Sequence, residues 1–244
     1  MRWEVFETPE DLALEAVRFF TRQAVRAVAE RGRFFAALSG GTTPLATYRL
    51  LGQPPLVHEM PWPNIHLFWG DERCVPSDHE LSNYRSAIAA LKPPANLSGE
   101  NIHRIPAEQG PVKGAAQYEK ELRVWFGKDR LPVFDLLLLG LGTDGHTASL
   151  FPNSPALTIM DRLAIGVEVS SEIEPRLARV TLSLPVINAS RQVLFLVSGA
   201  DKAAVVKRIR ENASGNALQY PAVRVRPAGD LIWFLDREAW PDRV

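Results

Sequence analysis

The chain has 244 residues, 46% of them hydrophobic, and its 28 Lys+Arg balance 28 Asp+Glu. That length and apolar content suffice for a large core, while zero formal charge offers no field to recruit nucleic acid or an anionic membrane surface. No apolar run approaches the ~18 residues of a membrane span, no signal peptide is expected from Met1 to Glu7, and a single cysteine, Cys74, allows no intrachain disulfide, which fits a reducing cytoplasm.

In chain order, Leu12, Leu14, Val17, Phe20, Val25 and Val28 recur at near-helical spacing and predict a helix over Asp11 to Arg31. The apolar run Arg33 to Leu38 leads into Ser39-Gly40-Gly41-Thr42-Thr43-Pro44, which opens a helix through Tyr48 and Leu51. Ile65 to Trp69 reads as a strand ending in Gly70-Asp71-Glu72-Arg73, followed by helices over Asn83 to Leu91 and Val112 to Phe126. A strand over Phe134 to Leu139 comes next, then strands over Ala164 to Val169 and Arg179 to Leu184, the latter turning at Pro185. Gln192 to Val197 is a strand, Asp201 to Asn212 a helix, and Asp230 to Leu235 the last strand. Strands separated by helices predict an α/β fold of parallel βα units. The Pro-rich stretches Gln53 to Pro63 and Lys92 to Pro106 read as loops because strands resume soon after each, so a single domain over 1–244 is expected.

The most informative segment is Phe134 to Pro152. Its leucine run has the character of a strand buried on both faces, and it passes into Gly140-Leu141-Gly142-Thr143-Asp144-Gly145-His146. The loop beyond a parallel strand's carboxyl end is where open α/β sheets place ligands, and glycines there let the backbone bend and approach closely. His146 is delivered to that crevice as a candidate general base. Asp144, two residues away, is suited to hold the imidazole's tautomer and stabilise its protonated form. Gly140 to Gly145 formally matches a dinucleotide fingerprint. Against that, Asp144 puts a carboxylate where a pyrophosphate needs donors, and Pro152 and Pro155 leave little room for a following helix.

In Ser39 to Pro44, Thr43 is a natural N-cap and Pro44 suits the first helical turn. The glycines ahead expose backbone N–H groups at the positive end of a helix, an arrangement that cradles a phosphate and that an ordinary capped turn would equally produce. Asp71-Glu72-Arg73 follows a strand, so its charges are expected at the same crevice. Lys202 stands at the start of a helix, where a cation opposes the dipole unless an anion is nearby. The remaining histidines show no ligand spacing, so no metal site is expected, and no Gly-x-Ser-x-Gly elbow is present.

Taken together, these segments resemble the 6-phosphogluconolactonases, which share a fold with glucosamine-6-phosphate deaminases. The resemblance is carried by Leu38 to Pro44, Trp69 to Pro76 with Ser82-Asn83-Tyr84, Gly140 to Pro152, Arg179 to Pro185 and Ser198 to Ala203, in family order over most of the chain. It implies a three-layer Rossmann-like fold with a mainly parallel central sheet flanked by helices, and a cytoplasmic monomer or weak homo-oligomer. It further implies hydrolysis of 6-phospho-D-glucono-1,5-lactone by attack of water, with no metal and no cofactor. By the same resemblance His146 is the general base with Asp144 beside it, and Gly40, Gly41, Thr42, Arg73, Arg179 and Lys202 line the substrate site and its phosphate; Arg73 is equally placed by the sequence to stabilise the oxyanion at the lactone carbonyl. Deaminases of this fold carry a glutamate five residues after the histidine, in an Asn-Glu-Pro run. This chain has Phe151 and then Pro152, which disfavours sugar isomerisation.

Overall fold

The computed structural model describes residues 1–169, 174–211 and 219–242. Seven strands form one parallel sheet: β1 (Arg2–Phe6), β2 (Phe34–Leu38), β3 (Ile65–Trp69), β5 (Ile102–His103), β6 (Leu136–Leu139), β9 (Gln192–Val197) and β10 (Asp230–Asp236). Their order is β1-β10-β9-β6-β2-β3-β5, and every pairing is parallel. β2, β3 and β6 are buried along their whole length, as expected of strands covered on both faces.

Helices α1 (Pro9–Arg31), α2 (Thr42–Leu51), α3 (Asn83–Leu91), α4 (Pro111–Phe126), α5 (Leu184–Ala189) and α6 (Ala203–Glu211) flank this sheet. α1 is held at both ends by local chemistry. Thr8 accepts the Asp11 N–H at its start, and Gly32, at φ 75°, closes its end in the left-handed region. Its buried stripe of Leu12, Ala16, Val17, Phe20, Ala24 and Ala27 recurs every three or four residues, the period that sets one helix face on a core.

Three short strands form a second, antiparallel sheet in the order β4 (Asp71–Arg73), β8 (Arg179–Leu182), β7 (Ala164–Val167). Gly70 joins the two sheets, donating its N–H to the Leu38 carbonyl at 2.8 Å and accepting from the Leu182 N–H at 2.8 Å.

Most expected elements are present, and the differences are local. The chain start, read only for targeting signals, is strand β1, and Trp3 stacks on Trp233 of β10 with centroids 4.6 Å apart. Helix α2 begins at Thr42 with Gly41 as its cap, so the N-cap expected at Thr43 is corrected. Gly41 at φ 96° swings the chain into the helix two residues earlier than a threonine cap would. The strand expected to run to Leu184 ends at Leu182, and Pro185 sits in the first turn of α5, where its missing N–H costs nothing. The proline-rich loop expected over Gln53 to Pro63 contains a 3-10 turn, Leu56–Glu59, and a second, Trp62–Asn64, begins at its end. The last helix opens with the 3-10 turn Ala200–Lys202 before α6, and its expected end at Asn212 lies outside the described residues.

The strand order locates a crevice. From β2 the chain moves outward to β3 and β5, then returns to β6 on the other side of β2 and proceeds to β9 and β10. The order reverses between β2 and β6. Loops leaving the carboxyl ends of these two strands diverge and open a crevice, the switch point where α/β sheets bind ligands.

Candidate active site

Two buried tyrosines close the strand ends that face the crevice. The Tyr48 hydroxyl accepts from the Ser39 N–H and donates to the Ser39 carbonyl, both at 2.9 Å. Tyr118 does the same for Trp69, at 3.1 and 2.9 Å. Each hydroxyl supplies the donor and acceptor that a terminated ladder leaves without partners. Burial pushes both phenols far above their ordinary range, so they remain neutral.

Beyond β6 the loop folds back on itself. The Gly142 N–H donates to the His146 carbonyl at 2.9 Å, the Gly145 N–H to the Gly142 carbonyl at 2.9 Å, and the Thr147 hydroxyl to the Gly140 carbonyl at 2.9 Å. Asp144 Oδ1 accepts from the His146 N–H at 3.0 Å and lies 2.6 Å from His146 Nδ1. One carboxylate thus holds both the backbone and the ring through Nδ1, and His146 lines the cavity. Burial raises the Asp144 carboxyl, but the hydrogen bond from the His146 ring and that ring's charge outweigh it and hold the group below its usual range. Gly142 is required here because a methyl group on it would lie 2.1 Å from His146 Nδ1 and 2.6 Å from Asp144 Oδ1.

The expected base, cations and glycines come together. Gly40, Gly41, Arg73, Gly140, Gly142, His146, Arg179 and Lys202 line one cavity of about 230 Å³ with Asp71 and Asn83. A second recess of about 160 Å³, lined by Gly40, Gly41, Thr42, Thr43, Pro44 and Lys202, shares its wall with the first. The amino end of α2 therefore opens onto the site, and no side chain caps it. Gly40 is forced by close approach, since a methyl group there would stand 2.1 Å from Asn83 Oδ1.

Arg73 and Arg179 are cross-strand partners in the β4–β8 ladder. Like charges directly opposite one another destabilise a sheet, and Arg179 is only 5% exposed. Neither guanidinium has an acidic side chain within ion-pair distance among the described residues, and the buried Nε of each has no hydrogen-bond partner. Arg73 spends one N–H on the Leu81 carbonyl at 2.9 Å. Burial pushes the Arg179 guanidinium below its ordinary range, with Asp71 pulling upward and the Arg73 charge adding to the depression. Two opposed arginines with no acid at ion-pair distance, an open helix terminus and Lys202 concentrate positive charge on this cavity, a setting chemically suited to a multiply charged anion.

Strand alternation sorts the acidic cluster. Asp71 and Arg73 line the cavity, whereas Glu72 turns away, correcting the expectation that all three face the crevice. Glu72 accepts from the Arg73, Asn83 and Tyr84 N–H groups and from the Ser82 hydroxyl at 2.7 to 2.9 Å, anchoring the start of α3. Burial raises its carboxyl while these donors pull the other way. Asp71 is held by the Ser149 hydroxyl at 2.6 Å and by Asn83 Nδ2, which also donates to the Asp71 carbonyl at 3.0 Å. The sequence did not mark Ser149, since its link to Asp71 spans two distant loops. Lys202 pairs with the exposed Asp201 at 3.0 Å, and its loop is fixed by Asp236, which accepts from Ser198 Oγ and the Gly199 N–H.

Residues 7–233 match the model of the family described as glucosamine-6-phosphate isomerases/6-phosphogluconolactonase. The chain belongs to that family. It is 45% identical over 223 residues to the 6-phosphogluconolactonase of Synechocystis sp., covering 90% of this chain and 88% of that protein. The solved 6-phosphogluconolactonase of Trypanosoma brucei superposes with a TM-score of 0.85 at 28% identity, covering 98% of this chain and 97% of that one. A monomeric glucosamine-6-phosphate deaminase superposes with a TM-score of 0.81 at 21% identity, covering 98% of each chain. The deaminase shares the fold, so architecture alone does not separate the two activities; sequence identity lies with the lactonases.

Proposed function

We propose that this protein hydrolyses 6-phospho-D-glucono-1,5-lactone to 6-phosphogluconate, the lactone-opening step of the oxidative pentose phosphate pathway. The observation that carries the reading is a carboxylate-held imidazole in the same small cavity as two unneutralised arginines. Likeness to proteins named 6-phosphogluconolactonase, at up to 45% identity over most of the chain, supports it. A second reading, sugar-phosphate deamination, lacks a carboxylate at position 151, where Phe151 stands.

In this mechanism the phosphate enters between the amino end of α2 and the cations Lys202, Arg179 and Arg73. Gripping that remote group orients the ring at the catalytic end of the cavity. His146 Nε2 takes a proton from a water as the water attacks the lactone carbonyl carbon. Asp144 holds the Nδ1 proton and stabilises the imidazolium that forms. Collapse of the tetrahedral intermediate breaks the ring C–O bond, and the imidazolium returns its proton to the departing ring oxygen. A strained cyclic ester needs no covalent nucleophile, and a positioned base contributes ~10²–10⁴-fold. The single cysteine, Cys74, is consistent with a cytoplasmic setting.

Initial rates of lactone disappearance, corrected for spontaneous opening, test this directly. Accelerated opening of the phosphorylated lactone, without ammonia release from glucosamine 6-phosphate, is expected. The reverse pattern would overturn the assignment.

A further inference from the structure

Phe151 is only 3% exposed, and it touches both halves of the site just described. Its ring centroid lies 4.7 Å from that of the His146 imidazole, with the planes inclined by 46°. The Arg179 guanidinium carbon stands 5.4 Å from the same ring centroid. The hydrogen bond from Nδ1 to Asp144 fixes one edge of the imidazole, but a single bond to a ring edge leaves its tilt free. An aromatic wall on the ring supplies the missing constraint. The same wall gives Arg179 a cation–π partner in place of an acid, leaving the guanidinium's charge available to a ligand.

We propose that Phe151 is a positioning residue that sets the tilt of His146 and, by carrying no charge, keeps the base and Arg179 electrostatically separate. This inference rests on the lactonase reading above. Asp144 from its own loop contacts the imidazole, and the other charged groups lining the same cavity are Asp71 and Arg73 from β4, Arg179 from β8, and Lys202 from the turn before α6. Asp144 is the acid in contact with the ring, and Asp71 is occupied by Ser149 and Asn83. A carboxylate at position 151 would be a second acid against the ring and would add to the pull that Asp71 already exerts on Arg179. Opposite charges within ~4–6 Å favour the charged form of a titrating group.

Phe151→Leu, Phe151→Glu and Phe151→Gln separate shape from charge. With the phosphorylated lactone as probe, Phe151→Leu is expected to lower kcat about tenfold through loss of ring placement, leaving the acid limb of the pH–kcat/KM profile in place. Phe151→Glu is expected to move that limb upward by about one pH unit and to raise KM about tenfold as Arg179 is neutralised. Phe151→Gln is expected to raise KM less and to leave the limb unmoved. Thermal midpoints distinguish site effects from unfolding. If the Glu variant does not fold, the Leu variant decides alone. Unchanged kcat in Phe151→Leu, or an acid limb in a folded Phe151→Glu that coincides with the parent's, would overturn the proposal. His146→Ala, run in parallel, keeps the two readings apart: an active His146→Ala protein sinks the base assignment. An inactive one beside normal Phe151 variants sinks only this inference.

Discussion

The two ends of strand β6 carry the same kind of residue put to opposite uses. At the amino end, Asp135 accepts from the Phe35 N–H at 2.9 Å and lies 3.1 Å from Arg31 and 3.3 Å from Arg191. The charges there are matched and the backbone of β2 is tied to β6. At the carboxyl end, Asp144 is spent on one histidine, while Arg73 and Arg179 face each other with no acid at ion-pair distance among the described residues and the α2 amino end is open. Cavity size points the wrong way: the hollow around Asp135, Arg31 and Arg191 measures about 490 Å³ against about 230 Å³ for the site. What separates structure from function is whether polar groups are already satisfied. A fold satisfies the charges it needs for itself and leaves unmatched those it reserves for a ligand.

Substitutions at the two ends should therefore fail in opposite ways. The largest expected effect is from His146→Ala, which should lower lactone turnover by ~10²–10⁴-fold with little change in thermal midpoint; steady-state kinetics beside a melting curve checks both. Gly142→Ala should follow, lowering kcat by about 10–100-fold because its methyl group would displace the ring from Asp144. Lys202→Ala should leave kcat nearly intact and raise KM by about tenfold, the order of one charge-assisted hydrogen bond. At the other end, Asp135→Ala should cost about 1–3 kcal/mol of stability by chemical denaturation, with kcat/KM unchanged while the protein is folded. An Asp135 variant that folded normally and lost activity would dissolve the contrast.

A smaller effect sharpens it away from the site. His66 and His103 are buried side by side at the edge of the main sheet, with His66 Nδ1 3.1 Å from His103 Nε2 and His103 Nδ1 2.8 Å from Glu121. Burial first, and then the charges of His103 and Arg33, push His66 down to about 4. Burial also lowers His103, against the pull of Glu121. An unfolded histidine titrates near ~6.5, so between there and about 4 the unfolded chain binds a proton that native His66 refuses. Stability must then fall as pH drops through that window. Unfolding free energies from urea titrations at pH 7.5 and pH 5 should differ by about 1–2 kcal/mol, and replacing His66 with a neutral residue should shrink the difference.

The sequence made the central strands and the His146 loop readable because both signals are local. A leucine run that ends on a glycine-rich turn has few other uses, and Gly140, Gly142 and Gly145 mark that turn by themselves. The site cations were readable only as matches to a family pattern, since nothing local distinguishes Arg179 from a surface arginine. Its meaning comes from standing opposite Arg73, a pairing made between two strands far apart in the sequence. β4 was invisible for a related reason. Asp71, Glu72 and Arg73 have poor strand propensity, and tertiary pairing with β8 overrides it. β1 pairs with the far end of the chain, and the six residues of α5 are too few to display a helical period. Phe151 read only as a missing carboxylate; its contacts with His146 and Arg179 required coordinates.

The measurement that bears most directly on the account is the initial rate of 6-phosphoglucono-1,5-lactone opening by the parent protein and by His146→Ala at equal concentration, above the spontaneous background. Fast opening by the parent and a rate near background for the folded variant is the predicted result. Comparable rates for the two would contradict it.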